Sequence, residues 1–178
     1  MMKNPLLLSA FTFILLTVTS GVHALTPEES VREISDHLPS LKPITWTSAA
    51  QKHHLVVFID NQCVYCSDVV KNVHKYTDAG LTLSFITVAP PAIRDQVVSD
   101  MARVWCSAEP HESLRKAMAG FLPENDSTPD CVNTIEAQSA LASRVGVQAT
   151  PVMVVLQPEP VVFLGNVKPA DILKKLKP

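Results

Sequence analysis

Cys63-Val64-Tyr65-Cys66 sets two thiols three positions apart, the spacing at which one sulfur can attack a disulfide and the other resolve the product. The pair follows an apolar run, Leu55-Val56-Val57-Phe58-Ile59. It opens a helical pattern from Ser67 to Tyr76, with Val69, Val70, Val73 and His74 on one face. A short apolar run bounded by polar residues predicts a buried strand, so the cysteines fall where a strand ends and a helix begins. The first helical turn offers unpaired N–H groups and the positive end of the macrodipole. That terminus is worth about 0.3–2 kcal/mol to a favourably placed charge, enough to raise a thiolate from a few per cent to about half at neutral pH. Cys63, the outer sulfur, is the predicted nucleophile, and Cys66, one turn in, the resolving thiol. Asp60 is a candidate proton acceptor, although fixing a loop or capping a helix is the commoner use of such a residue.

Two other readings compete: half of a zinc site, or an inert structural disulfide. Zinc wants a second close ligand pair, and Cys106 and Cys131 are too far apart in sequence to form one. No metal is expected, and no cofactor beyond the Cys63–Cys66 pair. His53 and His54 read as a solvated turn rather than as ligands.

The elements that must position this site follow from the rest of the chain. The 178 residues suffice for one domain with a real core. A net charge of −2 and the lack of a basic stripe give no reason to expect a nucleic-acid partner. Residues 1–24 read as a signal peptide: Lys3 supplies the positive start, Leu6 to Val18 the apolar stretch, and Val22-His23-Ala24 a small-residue cleavage site. The apolar stretch is about 13 residues, short of the ~20 that span a bilayer. Export brings the four cysteines into an oxidising compartment, where disulfides persist.

Thr26-Pro27-Glu28-Glu29 has the form of a capping box, and Val31, Ile34 and Leu38 mark a short helix that Pro39 and Pro43 interrupt. Residues 25–43 thus form a short helical arm. Ile44-Thr45-Trp46 reads as an edge strand, Asp78-Ala79-Gly80 as a helix stop and Leu81 to Val88 as the next strand. Beyond Pro90-Pro91, a helical region carries Ile93, Val97, Met101 and Trp105, then Leu114, Met118 and Phe121, then Ala137, Leu141 and Val145 before Gly146. Val152 to Leu156 and Val161 to Leu164 read as strands joined by a hairpin at 157–160, and Asn166 to Leu176 as a closing helix. The predicted class is α/β, a mixed central sheet covered by helices on both faces.

Four cysteines allow three pairings, and spacing does not choose among them. Local closure of Cys63 with Cys66 leaves Cys106 with Cys131, read as a structural disulfide closing a loop of about 25 residues worth roughly 3–4 kcal/mol. The alternative is a second redox centre that relays electrons to the first. Thr150-Pro151 precedes a strand pattern, where proline is tolerated. On base rates alone its peptide bond reads as trans.

The ordered set of Phe58-Ile59-Asp60, Cys63-Val64-Tyr65-Cys66, Trp105-Cys106, Cys131 and Gly146-Val147-Gln148-Ala149-Thr150-Pro151 resembles the catalytic domain of bacterial periplasmic disulfide isomerases of the DsbC/DsbG type. The resemblance covers about residues 44–177. It implies a thioredoxin-like fold in 44–178, with a helical insertion at about 91–145 between the third strand and the cis-proline strand. It also implies attack by Cys63, resolution by Cys66 and a cis Thr150–Pro151 bond, where Thr150 and Pro151, with Tyr65 nearby, receive an extended substrate segment. Cysteine-containing exported proteins are the implied substrates, and a membrane thiol donor of the DsbD type the implied reductant.

The family's N-terminal dimerisation domain has no counterpart between residues 25 and 43, which can stand for its linker at most, so dimerisation is left open. Val64 replaces the glycine or proline usual between the cysteines. Strong oxidants of this fold resemble one another in placing histidine before the second cysteine; Tyr65 stands there and adds no positive charge. The reading therefore favours a periplasmic isomerase or reductase over a monomeric dithiol oxidase. A chaperone-like binding module with incidental cysteines is the alternative from another class.

Overall fold

The computed structural model describes residues 25–156 and 160–176. The predicted signal peptide and most of the hairpin connection lie outside the described residues. Among those described, no helix is long and apolar enough to cross a membrane.

The described residues open with helix α1, Pro27–His37, whose capping box forms as the sequence predicts. Thr26 Oγ1 accepts the Glu29 N–H, and the Glu29 carboxylate accepts the Thr26 N–H. A 3₁₀ turn at Leu38–Leu41 leads into strand β1, Ile44–Trp46. Then follow β2 (His53–Ile59), α2 (Val64–Lys71), α3 (Val73–Asp78) and β3 (Leu81–Thr87). Helices α4 (Arg94–Trp105), α5 (Pro110–Met118) and α6 (Pro129–Arg144) form the insertion. Strands β4 (Val152–Val155) and β5 (Val161–Leu164) and helix α7 (Pro169–Lys175) complete the order.

The five strands lie in the order β1-β3-β2-β4-β5, with β2 and β3 parallel and the other neighbours antiparallel. Central β2 is buried on both faces, which explains its unbroken apolar run. Leu55, Val57 and Ile59 join a core with α2, α3, α4 and α5, while Val56 and Phe58 pack on the opposite face against Ile34 of α1 and Leu141 of α6. Gly80, at φ +93°, makes the turn into β3, and a Cβ there would stand 3.0 Å from the Ala50 carbonyl oxygen.

Several local expectations shift. His53 and His54 belong to β2 rather than to a solvated turn. The half-buried His54 meets Ser84 Oγ through Nε2 at 2.8 Å, and Ser84 bonds Thr45 Oγ1 at 2.7 Å. The helix after the cysteines breaks at Asn72, whose side-chain amide donates to the Asp68 carbonyl at 2.9 Å. Beyond the break, Tyr76 turns into the core and donates to the Val167 carbonyl, while His74 is exposed and contacts Arg115. Ile93 ends a 3₁₀ turn, Pro91–Ile93, just before α4, whereas Phe121 falls outside the helices and is 68 % exposed.

On α6 the buried face is Ile135, Gln138, Ser139, Leu141 and Ala142, and Ala137 faces out. The wholly buried Gln138 accepts the Thr87 N–H at 2.7 Å and donates to the Leu41 carbonyl at 2.8 Å. It thereby ties α6 to the end of β3 and to the turn after α1. Gln138→Leu keeps the bulk but strands both backbone groups. It should lower unfolding free energy by about 2–4 kcal/mol, read by urea denaturation.

Burial lowers the basicity of His54 from its ordinary 6.5. Above that value both folded and unfolded states hold it neutral. As pH falls below it, the unfolded chain takes up a proton that the folded state resists, so stability drops. Denaturation midpoints should decline between pH 7 and 5, and His54→Gln should flatten that decline.

Candidate active site

Two distant segments meet because β2 and β4 are antiparallel neighbours, with Phe58 opposite Val152. The end of β2 and the start of β4 therefore lie at the same end of the sheet. The turn Asp60-Asn61-Gln62 leaves β2 and delivers Cys63 to the N-cap of α2, one residue before the helix begins at Val64. The helix starts earlier than the Ser67 onset of the sequence pattern, so Cys66 lies in its first turn. Its N–H donates to Cys63 Sγ at 3.2 Å, using a sulfur where capping normally uses a side-chain oxygen.

From the other side comes the loop before β4, where the Thr150–Pro151 peptide is cis. The Cys63 thiol donates to the Thr150 carbonyl across 3.4 Å. Buried Asp60 holds the two segments together: one carboxylate oxygen accepts the Gln62 N–H at 2.9 Å, and the other accepts the Thr150 hydroxyl at 2.6 Å.

Sequence reasoning raised this loop-fixing role for Asp60, but it missed two further braces. Asn61 donates to Asp100 of α4 at 2.9 Å, and Ser67 donates to the Met118 carbonyl at the end of α5 at 2.6 Å. The first joins the turn before Cys63, and the second joins α2, to the insertion across 39 and 51 residues of sequence, beyond any local pattern.

The two sulfurs are unlike. Cys63 is partly exposed and Cys66 is buried, and both are free thiols. Burial pushes the Cys66 thiol well above the ordinary range, and the hydrogen bond with Cys63 adds to the shift. Beside them Val64 and Tyr65 stand on the first turn of α2, 73 % and 60 % exposed.

The Asp60 carboxylate and both sulfurs lie within 4.8 Å of one another, the one grouping of metal-ligating side chains found among the described residues. Three donors are one short of a structural zinc centre, and the carboxylate already accepts hydrogen bonds at both oxygens.

Cys106 and Cys131 are joined as a disulfide that links the end of α4 to the first turn of α6. Thr128 caps α6 beside this bridge, and its N–H donates to Cys106 Sγ.

If this exposure difference governs reactivity, limited iodoacetamide at pH 7 should label Cys63 alone. Cys66 should react only after unfolding, as peptide mass spectrometry would show.

The description of a thioredoxin-like domain matches residues 43–177. The thiol:disulfide interchange protein DsbC of Haemophilus influenzae is 30 % identical over 144 residues, which is 80 % of this chain and 61 % of that protein. DsbC of Pasteurella multocida is 26 % identical over 156 residues, 84 % of this chain and 66 % of that protein. The chain therefore spans somewhat under two thirds of the length of these relatives. Among solved structures, a disulfide interchange protein from Neisseria gonorrhoeae superposes with a TM-score of 0.62 at 21 % identity, covering 75 % of this chain and 94 % of that one. That likeness is one of fold.

Proposed function

The chain belongs to the thioredoxin-like domain family, and from that premise we propose that it is a periplasmic thiol–disulfide oxidoreductase acting on cysteine-containing exported proteins as an isomerase or reductase. The observation that carries this reading is the pairing of an accessible sulfur at a helix N-cap with a buried one behind it, facing the Thr150 carbonyl. Its similarity to two DsbC proteins supports disulfide exchange as the chemistry.

Exchange begins when the Cys63 thiolate attacks one sulfur of a client disulfide. The client S–S bond breaks, a mixed disulfide forms, and the other client sulfur leaves as thiolate. In isomerisation a client thiolate then attacks the client sulfur of the mixed disulfide and returns Cys63 as thiolate, with no net transfer of electrons. In reduction Cys66 attacks the Cys63 sulfur instead. The product is a Cys63–Cys66 disulfide and a client dithiol, two electrons having passed to the client.

Cys66 is held protonated by burial, so this second route needs a base. The Asp60 carboxylate, within 4.8 Å of that sulfur, is placed to take the proton. A membrane thiol donor of the DsbD type would restore the dithiol. The cysteine pair is then the whole redox equipment, without a separate cofactor.

The extended client segment lies against Thr150 and Pro151, with the exposed Tyr65 as a neighbouring contact. Cys66→Ala should trap reductant-sensitive adducts of Cys63 with exported proteins on non-reducing gels, whereas the Cys63→Ala, Cys66→Ala double variant should trap none. Absence of adducts from Cys66→Ala would count against the reading. A double variant that kept full function would favour the binding module instead.

A further inference from the structure

Two of the exposed apolar side chains lie side by side on one strand. Val162 and Leu164, 54 % and 73 % exposed, stand on β5, one of the two edge strands of the sheet. The strand Val161-Val162-Phe163-Leu164 carries no charge, although charge is the common means of keeping an edge from pairing.

Beside it lies a groove of about 430 Å³ walled by Val31 of α1, Val147, Val152, Val154, Val162 and Leu164. No ionisable residue lines it among the described residues. Gly146 to Ala149, the residues just before Thr150, form one of its walls, so groove and thiol site share a loop. The ladder fixes the separation. Leu164 is the partner of Val152, two residues beyond Thr150, and the Gly165 N–H donates to the Pro151 carbonyl at 2.8 Å. Two extended residues and one strand spacing place Leu164 on the order of 10 Å from Thr150, the reach of about three to four extended residues.

We propose that the β5 edge and this groove form a second subsite for the client, which takes an extended, uncharged apolar segment three to four residues from the cysteine that Cys63 attacks. The inference rests on the exchange reading above and specifies its substrate. A non-native protein offers such segments, whereas the surface of a folded one rarely does. The uncharged walls disfavour a segment bearing Asp, Glu, Lys or Arg, whose desolvation nothing there would offset.

The test uses two ten-residue peptides, each carrying one cysteine as its mixed disulfide with thionitrobenzoate. One bears Val and Leu three and four positions from the cysteine on both sides, and the other bears Ser at those positions. The exchange rate with the reduced protein is followed at each peptide concentration, and the ratio of the two rates cancels changes in thiol reactivity. The apolar peptide should be favoured about tenfold, as burial of roughly one aliphatic side chain requires. Leu164→Lys and Val162→Lys should each bring the ratio toward one.

A wild-type ratio near one, or a ratio unchanged in both variants, would overturn the proposal. So would sedimentation showing a dimer that Leu164→Lys dissociates, because a second copy would then occupy the groove. Exchange of the wild type with the small disulfide 5,5′-dithiobis(2-nitrobenzoate) separates the two readings. Reaction there without peptide preference defeats the subsite alone, and no reaction with any of the three defeats both.

Discussion

The contact between the Cys63 sulfur and the Thr150 carbonyl joins positions 87 residues apart, and the rest of the architecture makes that meeting possible. Antiparallel pairing of β2 with β4 brings the end of one strand beside the start of the other. Asp60 then bonds Gln62 on its own turn and Thr150 on the facing loop. A carboxylate buried so fully must have its oxygens satisfied. Satisfying them here also fixes the distance between the thiol and the loop that faces it.

The same rule, that buried polar groups find partners, explains how the helical insertion is attached. Gln138 joins α6 to β3 and to the turn after α1, Asn61 joins the turn before Cys63 to Asp100, and Ser67 joins α2 to the end of α5. The Cys106–Cys131 bridge closes the insertion on itself, from the end of α4 to the start of α6. The insertion is thus part of the support beneath the cysteines rather than an appendage.

The two cysteines acquire different chemistry from two positions on one helix. Cys63 precedes the first turn and is reachable, whereas Cys66 turns inward and burial suppresses its ionisation. In the exchange proposed above, this asymmetry would order the steps, because the outer sulfur is the exposed one of the two. The acidic group nearest the inner sulfur, Asp60, also holds the facing loop, so one side chain can serve both geometry and proton transfer.

Much of this was legible in the sequence, because it depends on neighbours along the chain. The spacing of Cys63 and Cys66, the apolar run of β2, the capping box at Thr26 and the stop at Gly80 are local features, each expressing backbone hydrogen bonding or side-chain periodicity. Periodicity misled where a side chain bonded to the backbone or a helix changed phase. Asn72 broke the helix after the cysteines and put Tyr76, not His74, in the core, and on α6 Gln138 rather than Ala137 took the buried position. His53 and His54 read as turn residues because polarity alone does not show that a strand has begun.

What only the tertiary structure decided is which distant groups meet: Asp60 with Thr150, Asn61 with Asp100, and the uncharged β5 edge with the loop before Pro151. Local sequence encodes the conformations a segment prefers. The partner of a buried polar group is chosen by the packing of the whole sheet and its helices, and that choice is written at no single position.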